Sequence, residues 1–118
     1  MAKWRMEIPG WSPALLNQLM GCHYMKAAGM KRKDADVVAR ACLVYGVPKA
    51  TGPRRVGLAI TGRFRRLPDP DSPLKSCLDA LSRAGAILDD DAGRCRWDVP
   101  TFARGPKATI ITLEDIEG

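Results

Sequence analysis

Residues 56–85 read VGLAITGRFRRLPDPDSPLKSCLDALSRAG, and two periodicities meet in this stretch. Val56, Leu58 and Ile60 alternate with Gly57 and Ala59, the two-residue period of a strand with one buried face. From Leu74 the period changes. Leu74, Cys77, Leu78, Leu81 and Ala84 recur at three- and four-residue steps, which predicts an amphipathic helix over residues 73–84. Ser72 or Asp71 suits its cap, Pro73 its first position, and Gly85 its end. A strand followed by an amphipathic helix fits an α+β chain.

Working outward, Trp4, Met6 and Ile8 alternate with Arg5 and Glu7, a first strand over residues 3–8 closed by Pro9-Gly10. Residues 11–29 are less regular, although Leu15, Leu16, Leu19 and Met20 have a helical look. Residues 31–45 form an amphipathic helix whose apolar face is Val37, Val38, Ala41, Val44 and Tyr45, with Gly46 as its stop. Two late strands follow, over residues 94–102 and 108–113, separated by Gly105-Pro106. The expected order is β-α-β-α-β-β, a small mixed β-sheet with helices packed on one face. At 118 residues the chain reads as one domain, 1–118, large enough for a real core.

Composition narrows the function classes. No apolar run approaches the roughly 20 residues that cross a bilayer, and no signal-peptide core follows the N-terminus. A cytoplasmic location without membrane contact is the expectation. Cys22, Cys42, Cys77 and Cys95 are widely spaced and the one histidine, His23, adjoins only Cys22. Neither a zinc site nor a disulfide framework fits that spacing, so the thiols read as small buried hydrophobes. The single histidine, without an acidic neighbour, gives no support to serine or cysteine nucleophile schemes. The net charge of +6 is unevenly spread. Residues 1–66 carry thirteen Lys/Arg against three acids, and residues 67–118 carry six against ten. The basic half suits a polyanion; a solvated surface is the plainer alternative.

The acidic groups of the second half are clustered. Asp69 and Asp71 lie two apart among Pro68, Pro70 and Pro73, which favour extended backbone and hence carboxylates on one side. Asp89, Asp90 and Asp91 follow the helix. A helix of about 12 residues runs roughly 18 Å, and the return to residue 90 spans up to about 20 Å if extended. The second cluster can therefore return to the first. Magnesium, which takes a few carboxylates and keeps its waters, suits such a site. Lys75, in the helix's first turn, could stabilise an attacked phosphodiester, with Asp79 at i+4 holding it. The plainer reading makes Asp71 a cap, Asp89–Asp91 a solvated turn, and Lys75–Asp79 a surface pair. An EF-hand is excluded, since the twelfth position from Asp69 is Ala80 rather than glutamate. Trp4 and Trp97 read as core or interface residues, and Phe64 as strand packing ahead of base stacking.

The run Arg65-Arg66-Leu67-Pro68-Asp69-Pro70-Asp71-Ser72-Pro73-Leu74-Lys75, then Leu78-Asp79-Ala80-Leu81 and Leu88-Asp89-Asp90, resembles the RusA family of Holliday junction resolvases. That family carries a basic stretch, D-x-D-N-x-x-K, D-A-L and a D-D pair, and the spacing matches over residues 65–90. Trp11-Ser12-Pro13 with Asn17 is similar to its N-terminal P-P-S-x-N segment. The resemblance implies a RusA-like fold and a magnesium-dependent endonuclease, manganese being a possible substitute. It implies metal ligands Asp69, Asp71 and Asp90, an essential Lys75, and a homodimer acting on branched DNA without a small-molecule cofactor. Ser72 stands where the family has asparagine, and Asp91 extends the D-D pair so that Asp89 or Asp91 competes for the ligand role. Arg63, Arg65 and Arg66, with Lys31, Arg32 and Lys33, are the expected phosphate-binding groups. The alternative is a DNA-binding module of the same fold that no longer cuts.

Overall fold

A computed structural model of the chain describes residues 2–14, 24–89 and 95–116. The helical look of Leu15, Leu16, Leu19 and Met20, together with Asn17, Cys22, His23, Asp90, Asp91 and Arg94, lies outside the described residues. The described elements form a small α+β fold, a mixed five-stranded sheet and two helices.

The strands are β1 (Lys3–Pro9), β2 (Arg54–Gly62), β3 (Cys95–Trp97), β4 (Thr101–Arg104) and β5 (Ala108–Asp115). The helices are α1 (Tyr24–Tyr45) and α2 (Asp71–Ala84). Strand β5, last in sequence, is inserted between β1 and β2 and runs antiparallel to both, with Met6 and Leu58 both opposite Ile111. Strands β3 and β4 lie parallel to β2 on its other edge.

The alternation expected for β1 and β2 is what buries one sheet face. Met6, Val56, Leu58, Ile60, Ile111 and Leu113 form a core with Val38, Ala41 and Cys42 of α1 and Leu74, Cys77, Leu78 and Leu81 of α2. Lys3, Arg5, Glu7, Arg55 and Thr112 lie exposed on the opposite face. The expected apolar stripe of α2 is therefore the one observed, with Ala84 half-buried at its end. Gly85 closes α2 at φ +80, donating to Ser82 O, while Ala86 donates to Leu81 O. Burying this face orders two helices against one sheet, the layered arrangement a chain of this length can complete.

Four expectations are corrected. Helix α1 begins at Tyr24, not at residue 31, because residues 25–30 are helical although none of them is buried. Its buried face is Asp34, Val38, Ala41 and Cys42, at i, i+4, i+7 and i+8. Val44 is 80% exposed and Tyr45 43%, so both leave the expected stripe; the Tyr45 hydroxyl instead donates to Glu7 O. The expected strand over 94–102 is broken in two. Val56 is opposite Trp97 but Ala59 is opposite Thr101, so residues 98–100 hold one more residue than β2 offers them. Pro100, with no N–H to give to the ladder, lies in that interruption. Trp97, expected in core or interface, is 40% exposed beside it.

One buried cation ties the layers together. Arg54 donates to Asp115 Oδ1 (2.8 Å), Pro48 O (2.9 Å) and Ala86 O (2.9 Å), and its guanidinium lies 4.5 Å from the Trp4 ring centre. It thus joins β5, the α1–β2 connection and the segment after α2 to the central strand. Among the described residues no helix is long and apolar enough to cross a membrane.

Candidate metal and nucleic-acid site

The acidic segment enters α2 more abruptly than its prolines suggest. Pro70 is already in the right-handed helical region (φ −56, ψ −33), and Asp71 is the first helical residue. The expectation of extended backbone through Asp71 is therefore corrected. Asp69 supplies the start of the helix: its Oδ1 accepts the Asp71 amide (3.1 Å) and its carbonyl accepts the Ser72 amide (3.0 Å). Neither Asp71 nor Ser72 is the cap. Proline at position 70 has no side chain that can cap, so the aspartate before it takes one of the orphan amides.

Asp71 and Lys75 are separated by one helical turn and so share a face of α2. Both are exposed, and among the described residues neither has an ion-pair or hydrogen-bond partner for its charged end. Asp79 does not hold Lys75 as expected; it pairs with Arg83 at 3.1 Å, the i+4 residue in the other direction. That choice keeps Lys75 at the helix start. Asp71 sits where the helix dipole favours negative charge. Two exposed carboxylates close in sequence are hard-oxygen donors of the kind magnesium takes.

Asp89, half-buried and engaged in contacts of its own, lies beyond the other end of α2. Asp90, the third expected ligand, lies outside the described residues, as does Asp91. Among the described residues no group of three or more His, Cys, Asp or Glu side chains could hold a metal. The structure thus places Asp69 and Asp71 at the start of α2, with Lys75 one turn along the helix from Asp71.

The expected phosphate-binding residues fall on two elements. Arg63, Arg65 and Arg66 are exposed on the β2–α2 connection, and Lys31, Arg32 and Lys33 are exposed in the middle of α1, not at its start. Of these six, Lys33 lines a cleft of about 460 Å³, which Phe64 also lines from within the arginine stretch. Phe64 is packed rather than free: its ring meets that of Phe102 edge-on at 5.9 Å, and Arg104 Nε donates to its carbonyl. A side chain at Gly62 would come within 2.9 Å of the Phe64 ring, which explains a glycine at the end of β2.

Two residues of this region are not among the expected site residues. Asp34 is buried, accepting from Trp11 Nε1 (3.1 Å) and the Ala14 amide (3.0 Å). Burial raises its pKa, opposed by the Ala14 and Trp11 hydrogen bonds and by Lys33. Lys107, from the β4–β5 turn, lines the same cleft. A period that includes Asp34 with Val38, Ala41 and Cys42 could have marked the aspartate; Lys107 could not have been found without the sheet order. Among the described residues Cys42, Cys77 and Cys95 are buried and form no disulfide, and burial pushes Cys77 up to about 12.

No protein-family model matches the sequence, and no curated protein matches it.

Proposed function

We propose that this protein is a RusA-like, magnesium-dependent endonuclease that cuts branched DNA. The observation that supports the reading is that Asp69 and Asp71 meet at the start of α2, the Asp71 amide donating to Asp69 Oδ1, with Lys75 one turn further along the helix and no competing partner for it among the described residues. Asp69 and Asp71, joined by Asp90 as the family resemblance implies, would hold the cation. The chemistry such a cation would supply there, magnesium or manganese, is Lewis-acid activation of water and of the phosphoryl group.

The remaining work belongs to the chain. Lys75 presents a compact positive charge to the phosphate as negative charge builds on its oxygens. Arg63, Arg65 and Arg66, with Lys31, Arg32 and Lys33, hold the strand through its phosphates. A homodimer would place two such sites about a two-fold axis, as symmetric cuts in a four-way junction require.

A second reading has its own observation. Asp69 already serves α2 as the acceptor that starts the helix, so the same residues suit a DNA-binding module without hydrolytic activity. Incubating a synthetic four-way junction with magnesium separates the two. The nuclease reading expects paired nicks from the wild type and a loss of at least about 100-fold in rate for Asp71→Asn. Junction binding without product at any magnesium or manganese concentration supports the binding module instead.

A further inference from the structure

The cleft beside the acidic segment suggests how a strand is held there. We infer that it receives a single unpaired nucleotide, the base against its aromatic lining and the flanking phosphates on Lys33 and Lys107. This rests on the nucleic-acid part of the reading above and not on cleavage. The cleft's volume, about 460 Å³, falls in the lower part of the roughly 300–1,000 Å³ range of pockets that bury small ligands. It admits one base with its sugar and excludes a duplex.

Its lining matches that occupant. Trp11, Phe64 and Phe102 supply aromatic surface, and every nucleobase has a face that such surface accepts. Lys33 and Lys107 are exposed cations from two different elements, α1 and the β4–β5 turn. Pro68 and Pro73 form part of the same lining and bracket Asp69 and Asp71 in sequence, so a nucleotide in the cleft lies next to the proposed site of hydrolysis. Among the described residues the one acid lining the cleft, Asp34, is buried and already accepts two hydrogen bonds, so the exposed charge they contribute is positive.

The cleft is also pre-built. Asp34 fixes Trp11 and Ala14 to α1, Thr109 Oγ1 donates to Trp11 O at 2.7 Å, and the Gly10 amide donates to Lys107 O at 2.7 Å. Three segments distant in sequence are thereby held in one arrangement before any ligand arrives, which lowers the ordering cost of binding.

The test uses the full chain and a short single-stranded oligonucleotide carrying one 2-aminopurine, with calcium in place of magnesium. A matched oligonucleotide has an abasic site at that position. The inference expects 2-aminopurine emission to fall at least about twofold on binding, and the abasic strand to bind about tenfold more weakly. Lys33→Glu and Lys107→Glu, both at exposed positions, should each weaken binding about tenfold and lower the salt slope by about one. Circular dichroism of both variants establishes that they remain folded. Equal affinity for the two strands with unchanged emission overturns the inference. Asp71→Asn is the control that keeps the two claims apart. Quenching together with an absence of cleavage by the wild type retains the cleft and removes the nuclease; cleavage without quenching does the reverse.

Discussion

Asp34 is the clearest case of a residue whose surroundings determine its chemistry. Its two oxygens satisfy the Trp11 indole and the Ala14 amide inside the fold. Asp34→Ala leaves both donors without an acceptor and should cost about 2 kcal/mol, read from urea unfolding. The pH dependence has a definite sign. Burial raises the Asp34 pKa above its ordinary value of 3.8, so the folded chain retains a proton that the unfolded chain releases. The stabilisation from this group is complete below 3.8 and is lost as pH climbs through the folded value. The difference in unfolding free energy between wild type and Asp34→Ala should therefore shrink as pH rises across that interval; a difference that grows contradicts the assignment. Lys75 poses the opposite case, an exposed cation with no structural partner among the described residues. Lys75→Ala should leave the melting temperature within a degree or two, since surface changes of this kind cost under about 0.5 kcal/mol, while reducing junction cleavage by at least about 100-fold.

Helix α2 shows how much of an element can be read from its residues alone. Its stripe and its Gly85 stop are legible because the period is unbroken and the φ of +80 suits glycine. Its first turn is not, because three prolines in six residues suggest extended chain, yet Pro70 takes the helical value instead. Asp69 consequently has two roles that substitution can separate. Asp69→Asn keeps an oxygen for the Asp71 amide and should match the wild-type melting temperature closely. Asp69→Ala removes it and should cost about 1 kcal/mol. Both should lose cleavage, since asparagine offers a cation no charge; an active Asp69→Asn would reduce the residue to a cap. Helix α1 and the β3–β4 edge mark the limits of periodicity. Residues 25–30 join α1 with little buried surface to announce them, and the extra residue at 98–100 becomes visible only once β2 is alongside. The acidic pair and the basic stretches were legible as chemistry, since charge and spacing are properties of the chain. The cleft was not: Lys33 and Lys107 become neighbours only because β5 is inserted between β1 and β2.

At the level of the whole molecule, the sheet buries one face under two helices and leaves charged side chains on the other. Arg54 is the point at which the layers are locked, with its side chain 3% exposed. Arg54→Met would leave the Pro48 and Ala86 carbonyls without their donor and should destabilise the fold by roughly 3 kcal/mol, seen as a lower urea midpoint. Arg54→Lys, which can replace only part of the fork, should fall between. The same architecture sets the start of α2, the arginine stretch and the cationic side of the cleft within reach of one nucleic-acid strand. The claim on which the functional account rests is that Asp69 and Asp71 bind a divalent cation together. Titrating manganese into isotopically labelled protein and following amide broadening by NMR tests it directly. The account predicts that amides of residues 69–75 broaden first, and that Asp71→Asn removes the effect. Broadening that begins elsewhere, or that persists unchanged in Asp71→Asn, contradicts it.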